Sequence, residues 1–231
     1  MQKVISVTVP AYNEQQLIAD CIDSLLNQNL DKDKYEILVI DNNSTDLTAK
    51  IALEKGVRVE KELKKGYVHA VRKGIDVSQG GVIAFTDADC RVPADWLKKI
   101  LTNFADSPGI VAVGGKLAFY DLNPILNWIV RIILYFIHVL PGNNMAIKRE
   151  AITQIGGIDP KVNLSLDYWL TSKLRRIGKL KVDRSLVVLT SGRRFKGAFS
   201  SDIKYFMNVI SIFISLKPLF YDFPDIREGL N

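Results

Sequence analysis

Short apolar runs alternating with helix-patterned stretches leave this chain few folds to choose from. Val4-Ile5-Ser6-Val7-Thr8-Val9 is predicted to be a buried strand ended by Pro10. Residues 36–40 form a second run ending at Asp41, residues 57–60 a short third, and residues 82–86 a fourth ending at Asp87. Between them lie helical patterns. Asn13 reads as a helix N-cap with Gln16 completing a capping box, ahead of Leu17, Ile18, Cys21, Ile22, Leu25 and Leu26 on one face. Turn chemistry over residues 42–46 leads into a helix at 47–55, and Lys65-Gly66 into another at 68–75. Strand–helix alternation implies an α/β fold with a mostly parallel central sheet flanked by helices.

The second half is less regular. A helix is expected at 96–104, a strand at 110–119, and a loop at 142–147 that enters a strand. A short helix follows at 148–155, ended by Gly156-Gly157. A further helix at 167–177 has Gly178 as its C-cap, and a late strand lies at 186–189.

Parallel sheets bind ligands beyond the carboxyl ends of their strands. Pro10-Ala11-Tyr12-Asn13-Glu14, Asp41 and Asp87-Ala88-Asp89 each follow such an end, so three polar clusters should converge on one edge. Asp-x-Asp also occurs as an ordinary capping loop. Two nearby carboxylates repel unless a positive group sits beside them, and Mg²⁺ accepts one or two carboxylates while filling its other positions with water and phosphate oxygens. The cluster therefore points to a nucleoside-diphosphate site.

The 231 residues suffice for one large domain, with or without an appended tail. A net charge of +6 suits an anionic substrate or lipid surface, and no long Lys/Arg block marks a nucleic-acid footprint. Only Cys21 and Cys90 are present, which favours neither a disulfide framework nor a zinc site and fits reduced thiols in a cytosolic setting. Met1-Gln2-Lys3 runs straight into a strand, so no signal peptide is expected. No segment reaches the roughly 18 apolar residues of a spanning helix.

The motifs, in order, are Val9-Pro10-Ala11-Tyr12-Asn13-Glu14; Val39-Ile40-Asp41-Asn42-Asn43-Ser44-Thr45-Asp46; Gly66 with His69-Ala70 and Gly74-Ile75; Phe85-Thr86-Asp87-Ala88-Asp89; Asn144-Met145-Ala146-Ile147-Lys148-Arg149 with Gly156-Gly157-Ile158-Asp159; and Asp167 ahead of Gly178. Over residues 4–195 the chain resembles the inverting family 2 glycosyltransferases of the GT-A (Rossmann-like) fold.

The resemblance implies transfer of a sugar from a nucleoside diphosphate to a hydroxyl or phosphate acceptor, as in cell-envelope or glycolipid synthesis. Asp41 would accept from the base imide, favouring a UDP-sugar. Pro10, Ala11, Tyr12, Glu14, Gly66 and Ala88 would line the nucleotide, and Asp87 would hold the ribose or a metal-bound water. Asp89 would ligate Mg²⁺ or Mn²⁺, Arg193 and Arg194 would meet the diphosphate, and Asp167 would be the general base. Residues 1–118 would form the nucleotide-sugar half of a 1–195 domain, 122–140 an apolar helical insertion, 141–195 the acceptor half, and 196–231 an apolar helical tail.

Two departures stand out. Leu166 occupies a position where relatives commonly carry Glu, and Val71-Arg72 stands where Arg-Asn is frequent. An apolar neighbour raises a carboxylate's pKa, which helps a base or silences it.

The stretches from Ile125 to Leu140 and from Ile203 to Leu216 are apolar apart from narrow polar stripes, Asn127, Arg131, Tyr135 and His138 in the first. Such helices are buried in protein or in lipid. Peripheral contact with the cytosolic face of a membrane, and a saccharide or lipid-linked acceptor, is the expectation. His69 has no second His spaced to join it as a metal ligand. Trp96, Trp128 and Trp169 are packing or interface residues, with Trp169 a possible platform for an acceptor sugar. Three alternatives remain: a haloacid-dehalogenase-type phosphatase built on Asp-x-Asp, a nucleotidyltransferase lacking its Gly-rich loop, and a transferase-like protein that binds nucleotide without turnover.

Overall fold

A computed structural model describes residues 3–124, 127–128, 139–162 and 166–193. Among the described residues, eight strands form one sheet in the order β3-β2-β1-β4-β7-β6-β8-β5. They are β1 Ile5–Ala11, β2 Tyr35–Asp41, β3 Arg58–Lys61, β4 Val82–Phe85, β5 Cys90–Arg91, β6 Ile110–Phe119, β7 Met145–Lys148 and β8 Lys179–Thr190. The helices are α1 Ile18–Leu26, α2 Thr48–Glu54, α3 Tyr67–Val77, α4 Trp96–Asp106, α5 Arg149–Gln154 and α6 Leu166–Leu174.

The first four strands are parallel, and β6 is parallel to β8. β7 runs against both β4 and β6, and β5 against β8. The sheet is thus the mostly parallel one expected, with a reversal in its middle. That reversal matters for function. Because β7 is antiparallel, its first residue, Met145, pairs with Phe85, the last residue of β4. The loop entering β7 therefore lies on the same edge as the carboxyl ends of β1, β2 and β4.

Sheet residues alternate between two packed layers, as continuous apolar runs require. Val7, Val9, Val39 and Ala84 face a core shared with α1 and α4. Ile83, Phe85, Met145 and Ile147 face a second core shared with α3, α5 and α6. Gly74 lets α3 lie close on the sheet, since a Cβ there would come within 3.0 Å of Thr8 Cβ.

Two expectations are corrected. Pro10 does not end β1, which continues to Ala11 in register with Asp41. Pairing with β4 stops at Thr8, so the missing Pro10 N–H interrupts no ladder on that side. Asn13 is not the N-cap of α1. It has φ 52°, its side-chain oxygen accepts from Thr45 N–H at 2.9 Å, and the α1 helix starts at Ile18, whose N–H donates to Glu14 O. Of the two apolar stretches, residues 125–126 and 129–138 and the whole of 203–216 lie outside the described residues; 139–140 is not helical, and Leu140 is buried. Among the described residues, no helix is long and apolar enough to cross a membrane.

Candidate active site

The β1 and β2 ends are tied into one wall. Asp41, 3 % exposed, accepts the Ser44 N–H at 3.1 Å. Glu14 N–H donates to Thr48 Oγ1 at 2.7 Å and Gln15 N–H to Asp46 Oδ2 at 3.1 Å. Asp46 also accepts from Thr48 at the start of α2, so it is a strut between loops. Asn42, a residue the motif reading did not single out, joins three segments. Its N–H donates to Ala11 O, its amide donates to Glu62 O and Lys64 O, and its Oδ1 accepts from Gly66 N–H at 2.8 Å. Gly66 adopts φ 129°, a backbone that L side chains avoid. Lys65 Nζ donates to Tyr12 OH at 3.0 Å.

The turn after β4 supplies two carboxylates. Ala88 is buried in the core, and Asp87 and Asp89 flank it. Tyr67, the first residue of α3, donates its hydroxyl to Asp87 Oδ1 at 3.2 Å. Asp89 is 8 % exposed. Its Oδ1 accepts from Thr190 Oγ1 at 3.4 Å and its Oδ2 from Arg193 at 3.4 Å. The same Arg193 nitrogen donates to Glu14 Oε1. A guanidinium thus sits where two buried carboxylates meet, and a cation bound there would have the same neighbours. Among the described residues no cluster of three His, Cys, Asp or Glu forms a protein-only cage.

Asp167 lies in the first turn of α6. The helix is docked by Leu166, Leu170 and Leu174 in the second core, and Thr171 Oγ1 accepts from Leu140 N–H at 3.1 Å. Gly142 marks how close Asp167 comes to the other carboxylates. A Cβ there would lie 3.6 Å from Tyr67 OH and 3.7 Å from Asp167 Cβ. Tyr67 therefore stands between Asp87 and the loop against Asp167. Burial raises the Asp167 pKa above the usual carboxylate value, opposed in part by the Tyr168 N–H that donates to it at 2.8 Å.

The structure thus brings Pro10, Ala11, Tyr12, Glu14, Asp41, Gly66, Asp87, Ala88, Asp89, Arg193 and Asp167 to one edge of the sheet. Arg194 lies outside the described residues. Cys21 and Cys90 sit beneath the site, both buried and free, and burial raises both pKa values, which suits inert structural thiols. Trp96 is fully buried, and Trp169 packs partly on the second core with Lys173 over its ring. In the sequence, Asn42 and Gly142 had only places in a motif and a loop, with no role in the site, and Tyr67 had none. Tyr67 carried one usable signal, its place directly after Gly66 in a motif loop.

An α/β sheet with a reversed central strand and acidic loops on one rim defines the GT-A class of nucleotide-sugar folds. Residues 6–156 match the family described as Glycosyl transferase family 2, and the chain belongs to that family. A glycosyltransferase from Haloferax volcanii, AglE, is 34% identical over 122 residues, covering 50% of this chain and 40% of its own. A beta-monoglucosyldiacylglycerol synthase from Nostoc is 29% identical over 195 residues, covering 71% and 42%. The chain spans less than half the length of these curated relatives. The fold matches a mannosyltransferase from Pyrobaculum calidifontis in complex with GDP-Man and Mn²⁺, with TM-score 0.74 and 22% identity over 91% of this chain and 62% of that one. It also matches glucosyl-3-phosphoglycerate synthase from Mycobacterium tuberculosis in complex with Mn²⁺, UDP-glucose and phosphoglyceric acid. That TM-score is 0.65, with 23% identity over 92% and 79%. Family membership takes away the ground for the phosphatase and nucleotidyltransferase alternatives.

Proposed function

We propose that the protein is an inverting glycosyltransferase that moves a sugar from a nucleoside diphosphate, UDP favoured, to a hydroxyl or lipid-phosphate acceptor. The observation that supports this best is the continuity of the rim: Asp41 at the end of β2 and Asp87 and Asp89 after β4, with Asp167 reached across Tyr67 and Gly142. In this reading Asp41 accepts from the base imide. Pro10, Ala11, Tyr12, Glu14, Gly66 and Ala88 line the nucleotide, and Asp87 orients the ribose. Asp89 would hold Mg²⁺ or Mn²⁺, which when bound offsets charge on the leaving diphosphate. Asp167 takes the acceptor proton from the face opposite the leaving group, so that attack inverts the anomeric carbon. Its raised pKa strengthens it as a base. The nucleotide half is assigned to residues 1–118 and the acceptor half to 141–195.

A screen of UDP- and GDP-sugars with Mn²⁺ and a broad acceptor panel tests the reaction. Asp167→Asn is expected to retain donor binding while turnover drops by about 10²-fold or more. Equal loss of both would remove its role as base. Asp89→Ala is expected to abolish metal-supported donor binding in calorimetry. Binding without turnover by the wild type would favour the second reading, a nucleotide-binding protein without catalysis, which Leu166 motivates.

The apolar sequences at 125–140 and 203–216, with the positive net charge, support peripheral attachment to an anionic cytosolic membrane face near a lipid-linked acceptor. The full chain is expected to float with anionic liposomes. Failure to float, together with a monomer stable without detergent, would remove this part of the proposal.

A further inference from the structure

Arg193 is placed by a built turn. Ser191 N–H donates to Asp89 O at 3.2 Å, immediately after the Cys90–Thr190 pairing of β5 with β8. Asp121 accepts from Ser191 Oγ at 3.0 Å and from Gly192 N–H. Arg193 N–H returns to Ser191 Oγ at 3.2 Å. Gly192 is needed for this approach, because a Cβ there would lie 2.2 Å from Leu122 Cγ. The turn delivers the guanidinium to the junction of Glu14 and Asp89, whose side chains are 5 % and 9 % exposed, while that of Arg193 is 18 % exposed.

Two buried carboxylates brought together from residues 14 and 89 need a compensating charge. Arg193 provides it from the chain itself. We infer that Arg193 is an internal counter-ion that competes with the divalent cation for Asp89, so that the metal enters only together with a nucleoside diphosphate, whose arrival releases the guanidinium from the carboxylates. This rests on the donor-site reading above. It adds an order of binding: metal alone is held off, and metal with diphosphate is admitted. Two features make the contact suited to exchange rather than to permanent structure. Arg193 Nη2 serves both carboxylates at once, and its contact with Asp89, at 3.4 Å, is long for a charge-assisted hydrogen bond.

The test is calorimetric titration of the full chain with Mn²⁺ alone, UDP alone, and Mn²⁺ with UDP, for the wild type and Arg193→Gln. A neighbouring opposite charge changes a carboxylate's affinity for a proton by roughly 10- to 1000-fold. Arg193→Gln is accordingly expected to bind Mn²⁺ alone at least about tenfold more tightly than the wild type. Mn²⁺ alone should raise its unfolding temperature but leave that of the wild type unmoved. Gly192→Ala, which pushes the turn off Leu122, is expected to move Mn²⁺ affinity in the same direction and serves if Arg193→Gln folds poorly. Equal Mn²⁺ affinity in wild type and both variants, with Mn²⁺–UDP binding intact, overturns the counter-ion role alone. Tighter Mn²⁺ binding by the variants with no UDP binding by any of the proteins supports the counter-ion role and contradicts the donor reading.

Discussion

At the scale of single residues, the environment of Asp167 differs from that of the rim carboxylates. Leu166 precedes it and is itself buried. Desolvation raises the Asp167 pKa, and backbone hydrogen bonds from Tyr168 and from Asp167 itself work against the rise. A base must be ionised, so the acid limb of kcat/KM is expected to fall at a pH above the ordinary carboxylate value. Leu166→Glu should change the position of that limb, whereas Leu166→Met should not. A limb at the usual carboxylate pKa would place the essential base elsewhere. The same shift has a stability consequence of known sign. The folded state binds the Asp167 proton more tightly than the unfolded chain. Its contribution to stability is therefore lost as pH rises from the unfolded to the folded pKa.

At the scale of elements, Asn144 holds the loop before β7 to the sheet. Its side chain accepts from Trp96 Nε1 at 2.9 Å and donates to Lys116 O at 2.9 Å and Leu186 O at 3.0 Å. It thus fastens α4, β6 and β8 one step before β7. Asn144→Ala leaves a buried indole N–H and two strand carbonyls without this partner, and a loss of about 2–4 kcal/mol is expected in denaturant unfolding. A loss below about 0.5 kcal/mol would show that these groups find other partners. The motif was readable at Asn144, but its role was not, because its three partners come from distant parts of the chain. The same limit explains β8. Only its apolar stretch at 186–189 was legible, while the strand runs from Lys179 to Thr190 with mostly exposed residues in its first half. Pairing with β6, not apolar pattern, makes that half a strand. Strands β1, β2 and β4 were legible because both their faces are buried. The Asn13 cap was misread because a left-handed Asn bonded across to Thr45 has the same local sequence as a helix start.

At the scale of the whole molecule, the reversed strand β7 gathers the site. Parallel order alone would bring the ends of β1, β2 and β4 together, and with them Glu14, Asp41, Asp87 and Asp89. The reversal adds the Gly142–Asn144 loop and the α6 start. The paired ends of β6 and β8 add Arg193, and β5 locks that end beside Asp89. Acidic motifs spread over more than half of the sequence therefore become one rim, the part of the account most directly open to measurement. Anomalous scattering from crystals of the full chain grown with UDP and Mn²⁺ locates the ion without reference to turnover. The account predicts a manganese peak within coordination distance of Asp89, with the uracil ring turned toward Asp41 and Arg193 displaced from Asp89. A manganese–UDP complex lodged away from the carboxyl ends of β1, β2 and β4 would contradict it.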